Sequence, residues 1–121
     1  MDNKTLGYHG EALAAEYLRN KGYKILTSNF TVRGGEIDLI AQNTAGTLTF
    51  VEVKTRTSAT FGSGEESVTS EKRFRMQRAI ARYLATLSYA DPDCRIDVIE
   101  LVLDPKTHDL LHIGHIEDIE C

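Results

Sequence analysis

The sequence has no tryptophan, two prolines and two cysteines, and aromatic residues fill only 7% of its 121 positions. Cys94 and Cys121 are too few for a disulfide framework, and neither a disulfide nor a metal site is expected from the pair. No apolar run approaches the roughly 20 residues that a membrane-spanning helix needs. The opening Met1-Asp2-Asn3-Lys4 lacks the basic-then-apolar layout of a signal peptide. A cytoplasmic protein with no membrane partner is the expectation. Internal repeats and low-complexity tracts are missing. So are a phosphate-cradling glycine loop, a dinucleotide fingerprint and a Ser/His/Asp arrangement, which removes several common enzyme classes.

What remains is an ordinary globular composition, 41% hydrophobic and 26% charged. It suits a single domain spanning residues 1–121 with one real core. The net charge of −4 argues against a nucleic-acid partner, but its distribution argues otherwise. Residues 91–121 hold nine acidic and two basic side chains, whereas residues 1–90 hold twelve basic and nine acidic. An acidic tail masks a mildly basic body, and local sign governs binding more than the total.

Periodicity predicts a helix over 5–21, with Gly22 closing it and Gly7, Gly10 and Ala14 forming a smooth strip for close backbone approach. Strands follow at 23–30, 36–42 and 48–54, with a turn at Arg33-Gly34-Gly35 and a hairpin loop at 43–47. Residues 57–69 form a long Ser/Thr/Gly-rich loop carrying Phe61, a candidate lid or wedge. Ser70 can cap a second helix over 71–88, with Phe74, Ile80, Tyr83, Leu84 and Leu87 on its apolar side. Strands at 95–103 and 110–116 complete an αβββα order followed by a β-hairpin. The class is α/β. The first three strands suit an antiparallel meander, and the strand after the second helix suits a parallel position beside one of them.

The central hairpin is the informative element. Closed symmetrically by 43–47, it sets Gln42 opposite Leu48, Ile40 opposite Phe50, Asp38 opposite Glu52 and Glu36 opposite Lys54, all on one face. Ile37, Leu39, Ala41, Val51 and Val53 take the other face as plain core. The first face is apolar near the turn and becomes three carboxylates and one ammonium at the far end. Like charges across strands destabilise a sheet, and buried unpaired charge costs several kcal/mol. A divalent cation between Asp38 and Glu52 would offset that, and all-oxygen ligation suits Mg²⁺ or Mn²⁺. The competing reading is a polar sheet edge in which Lys54 pairs with Glu36 and solvent covers the rest. Glu11 lies at the margin of the first helix's apolar face and can reach a sheet end. Lys54, two positions after Glu52, projects to the same side, where it could orient a water or offset charge on a phosphate.

These residues resemble a known family. Gly7-x-x-Gly10-Glu11-x-x-Ala14-x-x-Tyr17-Leu18, then Gly35-Glu36-Ile37-Asp38-Leu39-Ile40-Ala41, then Phe50-Val51-Glu52-Val53-Lys54-x-Arg56 are similar to the bacterial YraN-like proteins. Those are members of the PD-(D/E)XK nuclease superfamily, similar to archaeal Holliday-junction resolvases. Lys72 and Arg95-Ile96-Asp97-Val98 fit as well. The resemblance implies a restriction-endonuclease-like αβββαβ core, a mixed central sheet flanked by helices. It implies Asp38, Glu52 and the Val53 carbonyl as metal ligands, Glu11 as the helix carboxylate completing the site, and Lys54 as the catalytic lysine. Glu36 belongs to the signature with a less defined role. Ile37 stands where the superfamily's name has proline.

The second helix carries Lys72, Arg73, Arg75, Arg78 and Arg82. The last three share a side that could track a phosphate backbone, or could simply be a solvated face. Arg33 and Arg56 flank the carboxylates and are further phosphate candidates. With Phe74 assigned to the apolar side of this helix, contact with backbone and shape is expected rather than base stacking. His108, His112 and His115 are close in sequence, but a strand sends His112 and His115 to opposite faces, away from a zinc arrangement. The expectation is a Mg²⁺- or Mn²⁺-dependent endonuclease acting on structured or branched DNA, with a homodimer as the natural form on a symmetric junction. The alternatives are a nucleic-acid binding module with little turnover and an interaction domain whose carboxylates form a salt-bridge network.

Overall fold

The computed structural model describes residues 2–58, 70–88 and 92–118. In chain order the elements are α1 (Asn3–Asn20), β1 (Lys24–Val32), β2 (Gly35–Gln42), β3 (Leu48–Thr57), α2 (Ser70–Leu84), β4 (Cys94–Leu103) and β5 (Leu110–Ile116). The candidate lid over 57–69 falls almost wholly outside the described residues.

Local chemistry sets the element ends. Asp2 caps α1 by accepting a hydrogen bond from the Thr5 N–H at 2.8 Å. Gly22, at φ +93°, closes α1: its N–H donates to the Arg19 carbonyl and that of Tyr23 to the Leu18 carbonyl, both at 2.9 Å. This double bond pattern needs the left-handed conformation that glycine adopts without strain. In the β2–β3 loop the Asn43 carboxamide oxygen accepts from the N–H groups of Ala45 and Thr47 at 3.0 and 2.9 Å. That loop fixes the hairpin register, which runs as the symmetric closure requires, Gln42↔Leu48 through Leu39↔Val51.

The strands form one mixed sheet in the order β1-β2-β3-β4-β5. β1, β2 and β3 pair antiparallel, β3 and β4 parallel, and β4 and β5 antiparallel. A parallel pair needs a crossover connection, and α2 lies within it. The two helices cover opposite faces. On the α1 face Ala14, Leu18, Leu39, Ala41, Val51, Ile99 and Leu101 pack together. On the α2 face Ile37, Ile40, Leu48, Phe50, Met76, Ala79, Ile80 and Ile96 do so. Most of these are fully buried, each contributing roughly 1.5–3 kcal/mol against remaining exposed.

Three expectations change. Ile37 does not share a face with Leu39 and Ala41; it joins the α2 cluster while they join the α1 cluster. The alternation of β2 therefore slips at Asp38. Gly35 shows the same sense, since a Cβ there would overlap the Arg75 carbonyl of α2. Phe74 is not core but 60% exposed. At 100° per residue it sits about 200° around the helix from Met76, outside the buried stripe of Met76, Ala79 and Ile80. Lastly, Cys94 is disulfide-bonded, where the sequence led to no disulfide being expected. No helix among the described residues is long and apolar enough to cross a membrane.

Candidate active site

The shared ladder of β2 and β3 stops at Leu39↔Val51. Beyond it, β2 stays with β1 as far as Gly35↔Val32, and β3 stays with β4 as far as Thr57↔Leu103. The two strands fork. The expected pairs Asp38–Glu52 and Glu36–Lys54 therefore do not form across a ladder. Facing carboxylates repel, and parting the strands relieves that repulsion. At the crotch the Val53 N–H, released from the β2 ladder, donates to Asp38 Oδ2 at 2.8 Å. That bond satisfies a backbone donor and aims the Asp38 carboxylate between the strands.

Glu52 is 6% exposed. It follows Phe50 by two along β3, so it shares the α2 face. From α2, Lys72 Nζ reaches its Oε2 at 3.2 Å. Burial, together with the hydrogen bond and negative charge of Asp38, pushes the Glu52 carboxyl up to about 8 against the opposing pull of Lys72. Glu11 enters from α1. Burial, then the charges of Asp38 and Glu36, push it up to about 6, while a hydrogen bond with Asn29 pulls the other way. Its approach depends on the preceding residue. Gly10 sits so close to β3 that a Cβ would overlap the Thr55 side chain. Gly7, by contrast, has open space where its Cβ would lie, so the expected strip narrows to Gly10 and the buried Ala14.

Glu36, Asp38, Glu52, Val53, Lys72 and Arg75 line an open cleft of about 160 Å³. Glu36 pairs not with Lys54 but with Arg75, whose Nη2 lies 3.3 Å from its Oε1. Lys54 shares the Glu52 face, because β3 runs beside β4 in unbroken register from Leu48↔Cys94 to Thr57↔Leu103. Among the described residues no three Asp, Glu, His or Cys side chains gather closely enough to cage a metal by themselves.

Arg75, Arg78 and Arg82 are exposed on α2, and Arg33 is exposed in the turn before β2. Arg56 is half-buried on β3. Lys72 and Arg75, read from sequence as backbone-tracking cations, belong to the cleft itself. Asn29, the hydrogen-bond partner of Glu11, carries no sequence signal; its φ of +53° in a strand is tolerable for asparagine, but no recognisable motif encodes that conformation.

A second polar cluster also escaped the sequence. The fully buried Asp97 accepts from Arg95 Nε at 3.1 Å and from the Asp118 N–H at 2.9 Å. His115 Nε2 lies 2.7 Å from its Oδ2, with the two side chains 3% and 0% exposed. The three neighbouring histidines separate: His112 is exposed beside Glu100, His115 is buried on Asp97, and the His108 carbonyl meets the His9 ring.

Comparison with known proteins supplies the relationship. Residues 10–101, which include Glu11, the fork, α2 and Arg95 through Asp97, match the uncharacterised protein family UPF0102. A UPF0102 protein of Chlorobium limicola is 46% identical over 96% of this chain and 89% of its own. One of Syntrophomonas wolfei is 43% identical over 92% of this chain and 96% of its own. One of Geobacter metallireducens is 42% identical over 93% of this chain and 92% of its own. The chain belongs to the UPF0102 family.

Proposed function

We propose that this protein is a metal-dependent endonuclease of restriction-endonuclease-like architecture that hydrolyses phosphodiester bonds in structured or branched DNA. The observation that carries this reading is the fork: Asp38 and Glu52 share one cleft, where burial and then the nearness of Asp38 push Glu52 up to about 8. The donor set fits a hard divalent cation. Its side-chain donors are carboxylate oxygens, with neither sulfur nor imidazole in the cleft lining. Besides burial, the Asp38 charge raises Glu52, and that is a charge a cation would neutralise. Asp38, Glu52 and the Val53 carbonyl would hold Mg²⁺ or Mn²⁺, with Glu11 beside Asp38 acting on the set through its charge and hydrogen bond rather than as a third carboxylate ligand. The ion would polarise the phosphoryl oxygen and lower the pKa of a bound water.

The chain's own groups have separate tasks. The Val53 N–H holds Asp38 in orientation. Lys54, on the Glu52 face, orients the attacking water and offsets phosphate charge. Arg33, Arg56, Arg75, Arg78 and Arg82 hold the DNA backbone through charge, which is sequence-independent and salt-sensitive. On a symmetric four-way junction two cuts need two sites, so a homodimer is the expected form on that substrate.

A second reading, a DNA-binding module with little turnover, is favoured by the Lys72–Glu52 contact of 3.2 Å, because an internal ammonium already sits on the best ligand. One comparison separates the two. Labelled duplex, single-stranded and four-way DNA are incubated with Mg²⁺ or Mn²⁺ and wild type, Glu52→Ala or Lys54→Ala. Cleavage by the wild type that both substitutions abolish supports the enzyme. Retarded DNA without cleavage supports the module. Neither binding nor cleavage, with melting unmoved by metal, leaves a salt-bridge network.

A further inference from the structure

An exposed aromatic ring stands on α2, the helix that sends Lys72 and Arg75 into the cleft. Phe74 keeps 60% of its surface open on a helix whose exposed residues nearby include Lys72, Arg75 and Arg78 beside Glu71 and Gln77. It lies two residues after Lys72 and one before Arg75, both in the cleft lining. The guanidinium of Arg78, one turn on, sits over the ring with Cζ 5.1 Å from its centroid. Arg78 is itself pressed against the turn before β2, since a Cβ on Gly34 would overlap its guanidinium. Through Arg78 the ring is tied to the turn before β2, the strand that carries Glu36 and Asp38. A phenylalanine there contributes nothing to the core clusters, and a polar residue would suit a solvated helix face better.

We infer that Phe74 is a stacking platform for an unpaired base next to the scissile phosphate. This rests on the nuclease reading and narrows its substrate class. A flat apolar face flanked by arginines is how proteins hold single-stranded nucleic acid: the cations take the phosphates and the ring takes the base. A base inside a continuous duplex has both faces covered and offers nothing to the ring. The preferred substrate is DNA with an exposed base at the cut, such as a gap, fork, flap or branch centre.

The test titrates the full-length protein, in Ca²⁺ to withhold turnover, against two oligonucleotides. One carries 2-aminopurine unpaired in a three-nucleotide gap; the other carries it in continuous duplex. Wild type, Phe74→Ala and Phe74→Trp are compared, with thermal melts confirming that each is folded. The expected result is that Phe74→Ala weakens gapped-DNA binding about tenfold and abolishes stacking quench of the fluorophore. Duplex affinity should stay within about twofold, and Phe74→Trp should restore both signals. Unchanged gapped-DNA binding and quench in Phe74→Ala overturn the platform, and so does equal loss on both DNAs. If the platform falls while metal-dependent cleavage by wild type persists, the nuclease reading stands. If wild type binds neither DNA, both fall.

Discussion

Glu52 is a carboxylate held where its own charge is unwelcome, and that has a consequence for stability. Its carboxyl is raised from the ordinary 4.5 to about 8 by burial and by Asp38. A group whose folded pKa exceeds its unfolded pKa binds more protons in the native state between those two values. Stability then falls as pH rises across that window. Glu11, raised to about 6, acts in the same direction over a shorter span. In EDTA the melting temperature is therefore expected to drop steadily between about pH 5 and pH 8. Glu52→Gln, which is neutral throughout, should flatten most of that slope and melt a few degrees above wild type at pH 8. Added Mg²⁺ should stabilise wild type at pH 8 and leave Glu52→Gln nearly unmoved. Parallel melting curves for the two proteins across the range would mean that Glu52 is not strained by its surroundings. Charge type and spacing made Asp38 and Glu52 readable beforehand. Their energetics were not, because they depend on Lys72 and on burial beneath α2.

At the scale of elements, the register of β2 and β3 was legible while their parting was not. Loop length, Asn43 and Gly46 are local, and they set which residues face each other near the turn. The fork is a competition between elements. β3 continues with β4, β2 continues with β1, and the bond between the Val53 N–H and Asp38 replaces ladder bonds at the divergence. Nothing local announces that contest. The same holds for the slip of β2 at Asp38, which lets Gly35 and Ile37 face α2 while Leu39 and Ala41 face α1. Gly35 is where this packing is least forgiving. A Cβ there would overlap a backbone carbonyl, that of Arg75, and press on Ala79, so relief requires moving α2. Gly35→Ala is expected to cost about 1–3 kcal/mol and to displace Lys72 and Arg75 from the cleft. Gly46→Ala, open to solvent but at φ +90°, should cost only about 1 kcal/mol and leave the cleft alone. Denaturant midpoints for stability and metal-induced melting shifts for the cleft check both; equal effects of the two substitutions would contradict the packing argument.

Across the whole molecule, α1 ties two distant polar centres to one sheet. Its Glu11 reaches the fork, and ten residues on, roughly 15 Å along the helix axis, Lys21 Nζ meets His115 Nδ1 at 2.9 Å. There Arg95, Asp97, His115 and Asp118 join β4 to the end of β5, with Tyr17 and Tyr23 edge-on to the His115 ring. Burial works against ionising Asp97, but hydrogen bonds from His115 and the Asp118 N–H, with the Arg95 charge, hold its carboxyl below the ordinary value. The sign is opposite to that of Glu52. A depressed carboxyl contributes stability above its unfolded pKa and loses it as pH falls through the folded one. Metal-free protein should thus lose stability through Asp97 as pH falls below the ordinary 3.8 and through Glu52 as pH rises from 4.5 to about 8, with its optimum between those windows. His115→Ala removes one partner of a fully buried carboxylate and is expected to cost about 3 kcal/mol. Its effect should be as large in EDTA as in Mg²⁺, because no fork residue touches this cluster among its described contacts. A His115→Ala protein that regains wild-type melting when Mg²⁺ is added would show that the two centres communicate through α1.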